Sequence, residues 1–132
     1  MNLKIKNICC IGAGFVGGPT MTVLANKCKD IVFNVVDKDT SKIEHWNNKD
    51  LSDLPVYEPG LAELIQKRRD KNLFFSNHVK ECIAKAELIF ICVNTPTKKS
   101  GIGAGKASDM KWIEACAREV ATYAEGETIV VE

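Results

Sequence analysis

Long apolar runs are missing from this chain of 132 residues: stretches such as Leu88 to Val93 fall far short of the roughly twenty residues that cross a bilayer. The opening Met1-Asn2-Leu3-Lys4 also has no secretory pattern, so the expectation is a cytoplasmic protein with no membrane partner. Charge of one sign is missing too. Eighteen Lys and Arg face seventeen Asp and Glu, a net charge of +1, which gives no electrostatic case for nucleic acid. An anionic ligand would have to be held locally. The six cysteines, Cys9, Cys10, Cys28, Cys82, Cys92 and Cys116, contain no Cys-x-x-Cys pair and no histidine at ligand spacing, so neither a metal site nor a disulfide framework is expected. Cys9, Cys10 and Cys92 lie in apolar runs and Cys116 on an apolar helical stripe, where thiols act as small hydrophobes; Cys28 and Cys82 read as more exposed. The only histidines, His45 and His78, have no evident acid or nucleophile partner and read as exposed helix-end residues. Trp46 and Trp112 read as packing anchors.

What is present alternates. Ile5 to Ile11 is a short, nearly continuous apolar run closed by Gly12, the signature of a strand buried on both faces. A helix containing Met21, Val23, Leu24 and Ala25 follows, with Pro19 in its first turn, where a missing N–H costs nothing. Ile31 to Val36 reads as a second buried strand ending at Asp37, completing a βαβ unit. Thr40 or Ser41 can cap a helix through Trp46, and Asn47 to Pro55 is a polar loop. Pro59 suits an early helical position before the stripe Leu61, Leu64 and Ile65. Leu73 to Phe75 is a brief strand, Ser76 a cap for a helix through Ala86, and Leu88 to Val93 a further buried strand. Ile113, Cys116, Ala117, Val120, Ala121 and Ala124 form a helical apolar stripe ended by Gly126, and Thr128 to Val131 begins a fifth strand. The expected fold is α/β: one doubly wound, Rossmann-like parallel sheet, truncated after its fifth strand, over residues 1–132.

Gly12-Ala13-Gly14-Phe15-Val16-Gly17 fits G-x-G-x-x-G, weak alone but here placed between a buried strand and a helix. Gly12 permits a tight turn, Gly14 lets backbone approach a pyrophosphate, and Gly17 allows close helix–strand packing. Asp37 stands twenty residues beyond Gly17, at the end of the second strand, where an acid accepts hydrogen bonds from an adenosine ribose. A carboxylate there favours NAD over NADP, whose 2′-phosphate it would repel. Asn94-Thr95-Pro96-Thr97 follows the fourth strand, which ends at Val93; it either flanks the cofactor or is a proline-fixed connection. Lys98 to Lys106 fails the Walker pattern because Ala107 follows Lys106, and reads as a surface loop with a lid role left open.

Three segments in this order, Ile8 to Thr20, Tyr57-Glu58-Pro59-Gly60-Leu61 and Val93-Asn94-Thr95-Pro96-Thr97, with Ile113 to Arg118, resemble the N-terminal NAD-binding domain of the UDP-glucose 6-dehydrogenases, a family of nucleotide-sugar dehydrogenases. The resemblance implies that Gly12 to Gly17 hold the pyrophosphate, Asp37 the ribose, and Val93 to Thr97 the path toward nicotinamide. Lys42 stands where the family often has arginine near the adenosine, keeping the charge but losing the planar guanidinium. It further implies a homo-oligomeric enzyme that oxidises UDP-glucose to UDP-glucuronate with two NAD in turn, through a catalytic cysteine in a later domain that this chain lacks. The fragment alone is then inactive. Two other readings stand beside it: a sibling acting on GDP-mannose or a UDP-N-acetylhexosamine, and a non-catalytic NAD-sensing module.

Overall fold

The computed structural model describes residues 4–93, 111–125 and 128–131. Five strands, β1 (Asn7–Ile11), β2 (Val32–Val36), β3 (Leu73–Ser76), β4 (Leu88–Ile91) and β5 (Ile129–Val131), form one sheet in the order β3-β2-β1-β4-β5. Every pairing is parallel. Helices α1 (Gly17–Lys27), α2 (Thr40–Asn47), α3 (Leu61–Arg68), α4 (Val79–Lys85) and α5 (Lys111–Tyr123) make the connections, with a short 3-10 turn at Leu51–Asp53. The expected doubly wound class is what forms. Among the described residues no helix is long and apolar enough to cross a membrane.

Alternation along the strands explains why they read as continuous apolar runs. Ile8 and Cys10 of β1, with Phe33 and Val35 of β2, face one layer, where Met21, Trp46, Leu61 and Ile65 pack. Cys9, Ile11, Val36, Ile89 and Ile91 face the other, where Val79, Cys82, Ile83, Cys116 and Val120 pack. A strand covered on both faces has no position left for a solvated side chain.

The boundaries shift for local reasons. β1 begins at Asn7, where the Lys6 and Asn7 amides donate to the Glu87 carboxylate at 2.7 and 2.9 Å. Asp39 caps α2, accepting from the Ser41 and Lys42 amides, so Thr40 and Ser41 are helical and not the cap. Ser76 ends β3; His78 precedes α4 and makes no side-chain cap bond, so the expected serine cap is also displaced. Gly60, with φ +85°, precedes α3, leaving Pro59 just outside the helix. On α5 only Cys116 and Val120 of the expected stripe are buried; Ala117 and Ala121 are exposed, because the helix turns a second row, Trp112, Ala115, Cys116 and Glu119, toward the ends of the strands. Gly126 lies outside the described residues.

Candidate functional site

Strand order reverses between β1 and β4, and beyond their carboxyl ends lies a cleft of about 460 Å³. That is where open α/β sheets bind ligands. Gly12, Ala13 and Gly14 form its floor, Asp37, Lys38 and Lys42 one wall, and Trp112, Ala115, Cys116 and Glu119 of α5 the other. Cys92 and Val93 line it from the end of β4.

Each glycine of the turn has its own reason. Gly12 adopts φ +114°, and a Cβ there would lie 2.4 Å from the Cys92 carbonyl oxygen, so both conformation and packing against β4 demand glycine. A Cβ on Gly17 would lie 2.2 Å from the Gly12 oxygen, which fixes the start of α1 close against the turn. Gly14 differs: its φ is not positive, and a Cβ would meet nothing within 4 Å. The fold itself does not require glycine there. Open space over a cleft-lining glycine is what an approaching pyrophosphate would use, so this turn fits a dinucleotide.

Asp37 is engaged on both oxygens, Oδ2 accepting from the Ala13 amide at 3.0 Å and Oδ1 from the Asp39 amide at 2.9 Å. An ionised carboxylate has about four acceptor positions, leaving capacity for ribose hydroxyls. Lys42 is half-buried one turn into α2 and reaches the same wall. Lys38 pairs with Glu119 at 2.7 Å, tying the end of β2 to α5 across the cleft. The Glu119 hydrogen bond holds the Lys38 ammonium above its ordinary pKa.

Phe15 and Val16 are exposed, and neither lines the cleft; Gly17 is buried beneath the turn. Val93 is half-buried at the cleft, whereas Asn94, Thr95, Pro96 and Thr97, with the loop Lys98 to Lys106, lie outside the described residues.

Three readings change. Cys92 sits past the end of β4, half-buried and lining the cleft, so it is not a buried strand thiol. The neighbouring Cys10 thiol holds that of Cys92 below the usual range, while Cys92 and burial push Cys10 up; the Cys10 thiol itself donates to the Gly12 carbonyl at 3.8 Å. Cys82 is buried, its thiol raised by that burial. His45 has an acid partner, Asp53, at 2.8 Å, although it is exposed as expected. The acid lies in the turn that follows α2, eight residues on, a distance at which sequence proximity alone implies no contact.

Trp46 does more than anchor the core. Fully buried, it stacks on Phe75 with ring centroids 4.9 Å apart, and its indole Nε1 donates to the Ala13 carbonyl at 2.8 Å. Sequence reasoning gave no sign of that bond, which joins residues 33 apart in the chain.

Residues 6–132 match the model of the UDP-glucose/GDP-mannose dehydrogenase family, NAD binding domain. The chain belongs to this family. Its cofactor is NAD, and the five-stranded unit is the family's NAD-binding domain. Among curated relatives, UDP-glucose 6-dehydrogenase of Bos taurus is 52% identical over 129 residues, covering 98% of this chain and 26% of the relative. The Drosophila melanogaster UDP-glucose 6-dehydrogenase is 53% identical over 125 residues, covering 95% and 26%. The chain thus spans about a quarter of the length of these relatives. Among solved structures, a ternary complex of GDP-mannose dehydrogenase from Pseudomonas aeruginosa superposes with TM-score 0.71 at 30% identity, covering 86% of this chain and 24% of that one. An NDP-N-acetyl-D-galactosaminuronic acid dehydrogenase from Methanosarcina mazei shares the fold with TM-score 0.78 at 23% identity, over 96% of this chain and 26% of that one.

Proposed function

We propose that residues 1–132 are the N-terminal, NAD-binding domain of an enzyme that oxidises UDP-glucose to UDP-glucuronate. The observation that carries this reading is the cleft at the β1/β4 switch point with Gly14 open above it, in a chain about half identical to UDP-glucose 6-dehydrogenases. In this reading the amides of the Gly12 to Gly17 turn and the start of α1 hold the pyrophosphate. Ala13, Phe15 and Val16 contribute backbone, which is compatible with the exposure of the Phe15 and Val16 side chains. Asp37 accepts from the ribose, Lys42 adds positive charge near the adenosine, and Val93 to Thr97 lead toward the nicotinamide.

NAD, when bound, supplies the hydride acceptor. The work of this chain is to bind and orient: Gly12 and Gly17 close the turn, Asp37 sets the ribose, and the α5 wall encloses the cleft. In this reading, as the family resemblance implies, the catalytic cysteine belongs to a part of the enzyme beyond these residues. A cytoplasmic, homo-oligomeric enzyme with no nucleic-acid or membrane partner is compatible with the balanced charge.

The test is NADH formation by the full-length protein with UDP-glucose, GDP-mannose and a UDP-N-acetylhexosamine in parallel. UDP-glucose is expected to be preferred, with two NADH formed per sugar. Preference for another sugar would make the protein a sibling enzyme, and NAD binding without turnover of any would make it a sensing module.

A further inference from the structure

The Ala13 residue is held by side chains on both sides. Its N–H donates to Asp37 at 3.0 Å and its C=O accepts from Trp46 Nε1 at 2.8 Å. A trans peptide is planar, with its C=O and N–H pointing in opposite directions. With the Ala13 oxygen tied back to a buried indole, the Gly14 N–H of the same peptide faces away from the core. Gly14 lines the cleft, and its N–H has no backbone partner among the described residues.

Glycine at 14 creates a need for such a tether. Without a Cβ, the Ala13–Gly14 peptide is free to flip, and a flipped peptide would present a carbonyl oxygen to an anion. The indole is itself firmly set. It stacks on Phe75 at an interplanar angle of 2°, the Trp46 carbonyl accepts from Arg69 Nη1 at 2.7 Å, and Asn47 Nδ2 donates to the Phe75 carbonyl at 2.9 Å. Gly18 lies flush beneath the ring, where a Cβ would fall 2.2 Å from Cζ2.

We propose that Trp46 is a positioning residue for the cofactor's pyrophosphate: its indole N–H locks the Ala13–Gly14 peptide with the Gly14 amide turned into the cleft. This rests on reading the glycine turn as the pyrophosphate site. Because α2 also carries Lys42 one turn earlier, the same helix sets both the charge on the wall and the donor on the floor.

The test uses the full-length protein, calorimetry with NAD and ADP, and NMR titration with adenosine, which lacks the pyrophosphate. Trp46→Phe keeps a ring for stacking but removes the donor. NAD and ADP are expected to bind about tenfold more weakly, the scale of one misdirected hydrogen bond to a charged group, with adenosine affinity unchanged. Gly18→Ala, which displaces the indole, should reproduce that pattern. In the unsubstituted protein, exchange of the Trp46 indole proton should slow with ADP and not with adenosine. Equal loss for all three ligands, undiminished NAD binding in both variants, or indole exchange indifferent to ADP would overturn the proposal. Gly14→Val separates the two readings. If it leaves NAD binding intact, the pyrophosphate assignment itself fails; if it weakens binding while Trp46→Phe does not, only the role of Trp46 fails.

Discussion

At the scale of single residues, the thiols divide by place. Cys9 and Cys10 are fully buried, while Cys92 borders the cleft with a thiol held low by its neighbour Cys10. A lowered thiol pKa means that thiolate accumulates at lower pH than in an ordinary cysteine of pKa about 8.5. Iodoacetamide is therefore expected to modify Cys92 before Cys9 or Cys10, with a rate that rises through a midpoint below that value; peptide mass spectrometry across pH checks this. Saturating NAD should slow the reaction, and Cys10→Ala, which removes the neighbouring thiol that holds Cys92 low, should move the midpoint upward. Asn72 works in the core instead. Its Nδ2 reaches the carbonyls of Ala25, Cys28 and Ile31 at 3.0, 3.3 and 3.0 Å, joining the last turn of α1 to the loop that leads into β2. Asn72→Ala should cost about 1–2 kcal/mol in urea unfolding, since it strands the buried Ala25 carbonyl while also removing a buried Oδ1 that makes no hydrogen bond. A loss below a few tenths would mean that water replaces the amide.

At the scale of elements, α2 is the piece on which the site depends, and Asp39 is what starts it. Asp39→Ala is expected to lower stability by about 1 kcal/mol through the lost cap. Because α2 carries Lys42 and Trp46, NAD affinity should fall as well, measurable by calorimetry beside a thermal melt. The order of elements, the parallel sheet, the glycine turn and Asp37 were all legible, since they depend on apolar period and on glycine placement. Asp39 does not stand out as the cap because the run Asp37-Lys38-Asp39-Thr40-Ser41 offers several caps of equal quality, and only the entry angle from β2 selects among them. The α5 wall was illegible for a related reason. Its sequence carries two overlapping helical rows, Cys116 with Val120 and Trp112 with Ala115, Cys116 and Glu119, and apolar period marks only the first. The Trp46 bond to Ala13 and the Asn72 bonds span 33 to 47 residues, and no local pattern encodes such a span.

At the scale of the whole molecule, β5 pairs with β4 along one edge, and among the described residues no strand pairs with the other. Ile129, Val130 and Val131 are 46%, 47% and 40% exposed. An open apolar edge templates further strands, so the 132-residue chain should associate as its concentration rises, by analytical ultracentrifugation, and Val130→Lys should suppress it. Sample that stays monomeric at high concentration would show this edge to be inert. The central strand has a different consequence, one of time. β1 is synthesised well before its partner β4, which lies eighty residues later, Ile8 aligning with Leu88. Until that far segment arrives, the first strand can be flanked only by β2, and the floor of the cleft has no second wall to rest against. Long loops must close before such pairings stabilise anything, so parallel pairing at this separation forms later than local helix contacts. Until β4 is available, one edge of an apolar strand that carries two adjacent thiols, Cys9 and Cys10, has no partner.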